Sequence, residues 1–148
     1  MCYEFIYRIE NRVMNINNYK GGCLCGKVSF EISGEIQNII YCHCSQCRKV
    51  QGSAFATNGN VDKDDFRFIS GENDLTAYES TPGQTKYFCK YCGSPMLSKS
   101  KSNPGKVRVR LGTIDSDIVE RPEAHIFVSS KASWEEIEGG LPQYDSYE

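Results

Sequence analysis

Seven of the eight cysteines in this 148-residue chain fall into three short windows. Cys23 and Cys25 form Cys-x-Cys. Cys42, Cys44 and Cys47 form Cys-x-Cys-x-x-Cys, and Cys89 and Cys92 form Cys-x-x-Cys, which leaves Cys2 alone. Random placement does not produce such grouping. The N-terminal run MCYEFIYRIENR is broken by Glu4, Arg8 and Glu10 and lacks the apolar stretch of a secretory signal. A cytoplasmic, reducing setting is therefore expected, and clustered thiols there read as metal ligands before they read as disulfides.

From Lys27 to Ile32 the sequence alternates, with Val28, Phe30 and Ile32 on one side and Lys27, Ser29 and Glu31 on the other. That is the period-two pattern of a half-buried strand. Residues two apart on a strand share a face, so Cys23 and Cys25 can point the same way. In FCKYCGS two residues separate the thiols and Gly93 follows, which suits a tight turn with glycine at positive φ. Two pairs of this kind make a closed tetrahedral four-thiolate site, the pattern of structural zinc. Soft sulfur donors favour zinc over magnesium or calcium. The pairs lie far apart in the chain, so the ion would join the start of the domain to its later part and contribute folding energy. The competing reading is four small, buried, apolar side chains.

Cys42, Cys44 and Cys47 have no fourth cysteine nearby. Three protein ligands with one open position is the pattern of a reactive zinc site. Three thiolates leave a zinc ion with a net charge of about −1, better suited to binding and exchanging a substrate thiolate than to making hydroxide. A second structural site completed by His43 or another donor is the alternative. On an extended segment His43 faces away from its neighbours, which makes it a solvent-facing or supporting residue rather than a ligand.

The remaining sequence narrows the class. Lys and Arg number 17 against 19 Asp and Glu, for a net charge of −2. There is no polycationic face, and nucleic acid is not the expected partner. No run approaches the roughly 18 apolar residues of a membrane span, so no membrane is expected either. The length suits one domain. Strand candidates are EIQNIIYC, SAFATN, DFRFIS, LTAYES, TKYFC, KVRVRLG and AHIFVSS, separated by SGEND, TPGQ and KSNPGK, whose Gly, Pro, Asn and Asp mark turns. One helical turn is expected around Ser45 to Val50, and no longer helical stripe is present. Many short strands with short turns predict an all-β sandwich or barrel-like fold in a single domain. Residues 1–18 read as an N-terminal extension, 19–144 as the domain and 145–148 as a tail. Met14 would serve as an ordinary start, so the first 13 residues read as an extension or upstream-start artefact. The acidic stretch WEEIEGGLPQYDSYE is expected on the surface. Trp134 is expected to close the core, as are Phe55, Phe66, Phe68, Tyr78, Tyr87 and Phe88.

Taken together, GGCLCGKVSFE, YCHCSQCRK, FCKYCGS, HIFVSSKASW and GLPQY resemble the glutathione-dependent formaldehyde-activating enzyme family, also called the centromere protein V domain family. The resemblance runs from about Tyr19 to Tyr144 and implies an Mss4-like fold of β-sheets around zinc. It implies that Cys23, Cys25, Cys89 and Cys92 hold a structural zinc and that Cys42, Cys44 and Cys47 hold a catalytic one. That makes two Zn²⁺ per chain, the second more open to loss. The family's founding activity is reversible condensation of glutathione with formaldehyde to S-(hydroxymethyl)glutathione, formally a carbon–sulfur lyase reaction. The expectation is a zinc-dependent carbon–sulfur lyase acting on a small thiol adduct, with glutathione or a similar thiol and a small aldehyde as partners. Glutathione carries two carboxylates, so the site should offer cations. Arg48 and Lys49, directly after Cys47, are the first candidates, with solvated surface charge as their alternative, and Lys131 is a weaker one. His125 is a candidate proton donor with a structural role as its alternative. The rival function is a non-enzymatic zinc module that binds a protein, which would need the four-thiolate site but not the three-thiolate one.

Overall fold

A computed structural model describes residues 17–147. The expectations for residues 1–13 and for Cys2 lie outside them. Among the described residues the chain forms ten strands and one short helix. These are β1 (Asn18–Gly22), β2 (Ser29–Ser33), β3 (Gln37–Cys42), α1 (Ser45–Gln51), β4 (Ala56–Asp62), β5 (Phe66–Ser70), β6 (Leu75–Thr81), β7 (Gln84–Cys89), β8 (Pro95–Ser100), β9 (Lys106–Arg110) and β10 (Ala124–Ile126). The all-β expectation holds. A three-stranded sheet runs β1-β2-β5, and a seven-stranded sheet runs β10-β3-β4-β9-β8-β7-β6. Every pairing is antiparallel except β10 with β3.

Period-two alternation explains where the core sits. Val28, Phe30 and Ile32 are buried from the small sheet, and Val61, Leu97, Val107 and Val109 meet them from the large one. Their neighbours on β2, β4 and β9 point the other way, whereas on β8 Met96 and Leu97 are buried in succession in the same core. Ile39 joins this main core, whereas Ile40, one residue on, joins a second cluster with Cys42, Cys47, Ala56, Ala124 and Ile126. On β9 the same rule sends Val107 and Val109 inward and leaves Arg108 and Arg110 on the face of the second cluster. The large sheet thus has one apolar face covered by the small sheet and one face on which polar side chains gather.

Several local expectations need correction. Cys23 and Cys25 lie in the turn between β1 and β2, not on a strand. Gly26 takes φ +81 there, which ends the extended run. AHIFVSS is strand only to Ile126, because Phe127 adopts a left-handed conformation (φ +56) and Val128–Ser130 form a 3₁₀ turn. β1 and β8 are strands the patterning did not single out. β8 begins at Pro95, a position where a strand tolerates proline. Trp134 does not close the core: it is 70% exposed, and Tyr78 is 62% exposed. Phe66, Phe68 and Tyr87 do pack against the main core.

Two long-range ties position the later chain. The Glu120 carboxylate accepts hydrogen bonds from Tyr19 Oη (2.6 Å), Asn17 Nδ2 (3.2 Å) and the Ile36 backbone N–H (3.2 Å). Burial alone would raise its pKa. Those donors reverse the effect and hold the carboxyl below its usual value. The C-terminal stretch is mainly exposed, as expected, yet it docks beside β10. The His125 N–H donates to Pro142 O (2.9 Å), and the Tyr144 N–H donates to His125 O (2.9 Å).

Candidate metal centres

The turn after β1 and the turn after β7 bring four sulfurs together. The Sγ atoms of Cys23, Cys25, Cys89 and Cys92 all lie within 4.8 Å of one another. Cys23 and Cys25 are separated by 3.5 Å, and Cys25 and Cys89, 64 positions apart, by 3.8 Å. Sulfurs placed tetrahedrally about 2.3 Å from a zinc ion sit about 3.8 Å apart, so the donor set fits the metal. The two turns are built alike. The Gly26 N–H donates to Cys23 O and the Gly93 N–H to Cys89 O, with both glycines at positive φ. The Val28 N–H donates to Cys23 Sγ (3.2 Å). Ser94 Oγ lies 3.3 Å from Cys92 Sγ and accepts from the Leu24 N–H (2.9 Å), which ties one turn to the other. Hydrogen bonding from Ser94, through its side chain first and then its backbone, pulls the Cys92 thiol down to about 5. That favours the thiolate form of Cys92, the form that binds metal.

The second centre forms where β3 ends. Cys42 closes the strand, Cys44 caps α1 by accepting from the Cys47 N–H (3.3 Å), and Cys47 lies in the first turn of that helix. Their three sulfurs also lie within 4.8 Å of one another, and Cys42 and Cys47 are buried. Hydrogen bonds from the Cys42 and Cys47 thiols drive the Cys44 pKa down to about 2. The same contacts, with burial, push that of Cys42 up. Three convergent soft donors fit a zinc ion with one position left for another ligand.

This triad opens on a cleft of about 480 Å³. Its far walls are Ser80 and Thr81 of β6, Gln84 and Lys86 of β7, Arg108 and Arg110 of β9, and Phe127 and Tyr147 from the C-terminal part. Among the described residues no carboxylate lines it, while three cations do. Arg110 is only 3% exposed. Burial pulls its pKa down, and the sulfurs of Cys47, Cys42 and Cys44 act against that pull. Arg108 Nη1 donates to Tyr147 Oη (3.0 Å), which holds the tyrosine across the mouth. A larger cleft of about 600 Å³, with Phe66, Phe68 and Tyr87 flanked by Lys63, Lys99 and Lys101, contains neither cysteine nor histidine among the described residues. The smaller cleft is the one that carries the three sulfurs.

The other candidates fall elsewhere. Arg48 is half-buried and Lys49 exposed, and neither lines the triad's cleft. Lys131 is exposed and donates to Glu135 O (2.8 Å). His43 does not join the sulfurs, but it is not at the surface either. It is fully buried, with its Nε2 2.8 Å from Nδ1 of His125. Burial, then the proximity of His125, lowers the His43 pKa to about 4, and burial lowers that of His125 as well. His125 lies outside the cleft lining and pairs with His43 in the interior. Reading KVRVRLG only as a strand missed Arg108 and Arg110. The available signal was that its two arginines share one face of that strand.

The comparisons agree with this geometry. The chain is similar to a crystal structure of a Rhodobacter sphaeroides protein, with 27% identity, a TM-score of 0.57, and coverage of 68% of this chain and 91% of that one. The sequence model of the glutathione-dependent formaldehyde-activating enzyme family matches residues 18–130, most of the chain and every cysteine described above. With its two sheets and its paired cysteine clusters in that family's Mss4-like arrangement, the chain belongs to the glutathione-dependent formaldehyde-activating enzyme family.

Proposed function

We propose that this chain is a zinc-dependent carbon–sulfur lyase that reversibly joins glutathione, or a similar small thiol, to formaldehyde or another small aldehyde. One Zn²⁺ belongs to Cys23, Cys25, Cys89 and Cys92 and holds the fold together. The other would be held by Cys42, Cys44 and Cys47, where it would supply an open coordination position that lowers the pKa of a substrate thiol. The observation that carries the reading is the cleft itself: a largely buried three-sulfur cluster facing three cations and, among the described residues, no carboxylate.

The chain's own residues have distinct tasks. Lys86 and Arg108 at the cleft receive the two carboxylates of glutathione, with Arg108 suited to a bidentate grip. Arg48 and Lys49 add positive charge beside the triad without lining the cleft. Phe127 and Tyr147 narrow the opening and keep the reactants together, which supplies much of the acceleration for a reaction that already runs in water. Reduced thiols at both clusters require a reducing compartment, and we place the protein in the cytoplasm. No helix among the described residues is long and apolar enough to cross a membrane.

The test is zinc per folded chain by elemental analysis, followed by exchange NMR of glutathione with formaldehyde. Two zinc ions and exchange faster than in protein-free solution support the reading. Two zinc ions with unaccelerated exchange for every small thiol and aldehyde tried would instead favour a protein-binding zinc module.

A further inference from the structure

Asn58 and Arg110 are direct partners across the β4–β9 ladder, and both line the triad's cleft. They are 2% and 3% exposed. Each carries a buried polar atom with no hydrogen-bond partner in the protein: Oδ1 of Asn58, an acceptor, and Nε of Arg110, a donor. Interior polar groups are nearly always paired, so an adjacent donor and acceptor both left open call for an explanation. Arg110 has no carboxylate partner among the described residues, and its guanidinium reaches only Ser98 Oγ, at 3.4 Å. The three sulfurs account for a positive charge at this place. They do not account for an unused N–H and an unused amide oxygen on two paired residues.

We propose that Asn58 and Arg110 form the oxygen-binding subsite of the cleft. Arg110 donates to the aldehyde oxygen and to the hydroxyl it becomes, while Asn58 accepts the hydrogen of that hydroxyl. The proposal rests on the thiol–aldehyde reading and adds the residues that hold the oxygen end. A carbonyl oxygen only accepts hydrogen bonds, whereas the product hydroxyl both accepts and donates. One open donor and one open acceptor on paired residues of neighbouring strands match that change. In the forward direction the thiolate sulfur pair forms the C–S bond and the carbonyl π pair moves onto oxygen. That oxygen then takes up a proton, equal to the one the thiol released, from water in the cleft. Nothing is oxidised or reduced. Arg110 stays protonated throughout and acts by its fixed charge, positioned in a buried site where negative charge grows on oxygen. In the reverse direction Asn58 holds the hydroxyl oriented for collapse.

The test uses the zinc-loaded protein and two thiols of similar size, 2-mercaptoethanol and 1-propanethiol, one ending in a hydroxyl and the other in a methyl. Calorimetry gives the ratio of their affinities for wild type, Asn58→Leu and Arg110→Met, with zinc content measured before and after. The expected result is a shift of that ratio towards propanethiol by about tenfold in Asn58→Leu with zinc unchanged, because the site then loses its hydroxyl acceptor. Arg110→Met should shift the ratio the same way and slow glutathione–formaldehyde exchange by about a hundredfold. If Arg110→Met fails to fold or to keep zinc, Asn58→Leu carries the test, since it is neutral and close in volume. An Asn58→Leu ratio equal to that of wild type overturns the subsite. Absence of accelerated exchange in wild type overturns the thiol–aldehyde reading instead, and the ratio of the two thiols still reports on the subsite.

Discussion

His43 Nε2 and His125 Nδ1 lie 2.8 Å apart in the interior, linking the end of β3 to the strand that runs parallel to it. One ring must donate and the other accept, so each imidazole fixes the tautomer of its partner. Tyr41 and Phe55 enclose the pair, with ring centroids 4.8 Å from His125 and 5.2 Å from His43 respectively. His43 stands between Cys42 and Cys44, so this buried contact sets how the cysteine segment leaves the sheet.

Replacing either histidine alone by phenylalanine should lower stability by about 1–3 kcal/mol, because the remaining ring keeps a buried nitrogen without its partner. The double replacement should cost less than the sum of the two. Urea unfolding of the four proteins in a double-mutant cycle, at fixed metal content, measures this coupling.

Glu120 predicts a pH dependence with a defined sign. Its folded pKa lies below the value in the unfolded chain, so the unfolded state takes up the proton first as pH falls. Its contribution is therefore complete above the ordinary glutamate value of about 4.3 and is lost as pH drops through the lower folded value. Glu120→Gln should flatten that part of the acid limb and leave a nearly constant deficit of about 1 kcal/mol at neutral pH. Chemical denaturation of both proteins from pH 3 to 7 checks the slope.

The two cysteine clusters should fail differently. Cys47→Ser should remove the second zinc and turnover while leaving the far-UV spectrum and thermal transition close to wild type. Cys92→Ser should unfold or aggregate the chain, since the four-sulfur centre joins turns 64 positions apart and its loss removes folding energy directly. Elemental analysis beside circular dichroism separates the outcomes. Equal behaviour of the two variants would abolish the division of labour.

Among the cations, Lys86→Ala and Arg108→Ala should each raise KM for glutathione about tenfold with little change in kcat. Neither should affect a small thiol that lacks carboxylates. Arg48→Ala and Lys49→Ala, outside the cleft lining, should change KM less than twofold. Parallel kinetics with glutathione and 2-mercaptoethanol distinguish charge recognition from a general loss of the site.

Much of the metal chemistry was legible because ligand spacing is local. Cys42, Cys44 and Cys47 are brought together by one strand end and one helical turn, and each pair of the four-sulfur centre by a single turn. The alternation around Phe30 likewise located a strand and its inner face. What the sequence hid was tertiary. Whether the second face of β9 meets solvent or a cleft depends on β3, β7 and the C-terminal residues, none of them adjacent to it in sequence. Arg48 and Lys49 drew attention by adjacency to Cys47, yet consecutive residues on a helix point in different directions. Trp134 was assigned to the core by its size, and no strand carries it there.

The walls of the cleft differ in how far they lie from the interior. The sulfurs come from β3 and α1, inside the fold. Much of the opposite wall comes from the tip of the β6–β7 hairpin and from Tyr147, on the exposed periphery. Hairpin tips and terminal segments accept substitution and changes of length readily, whereas a strand end that delivers ligands does not. Selectivity for the thiol can therefore drift among relatives, or be redesigned, by altering Ser80 to Lys86 and the C-terminal residues while the reacting centre stays as it is.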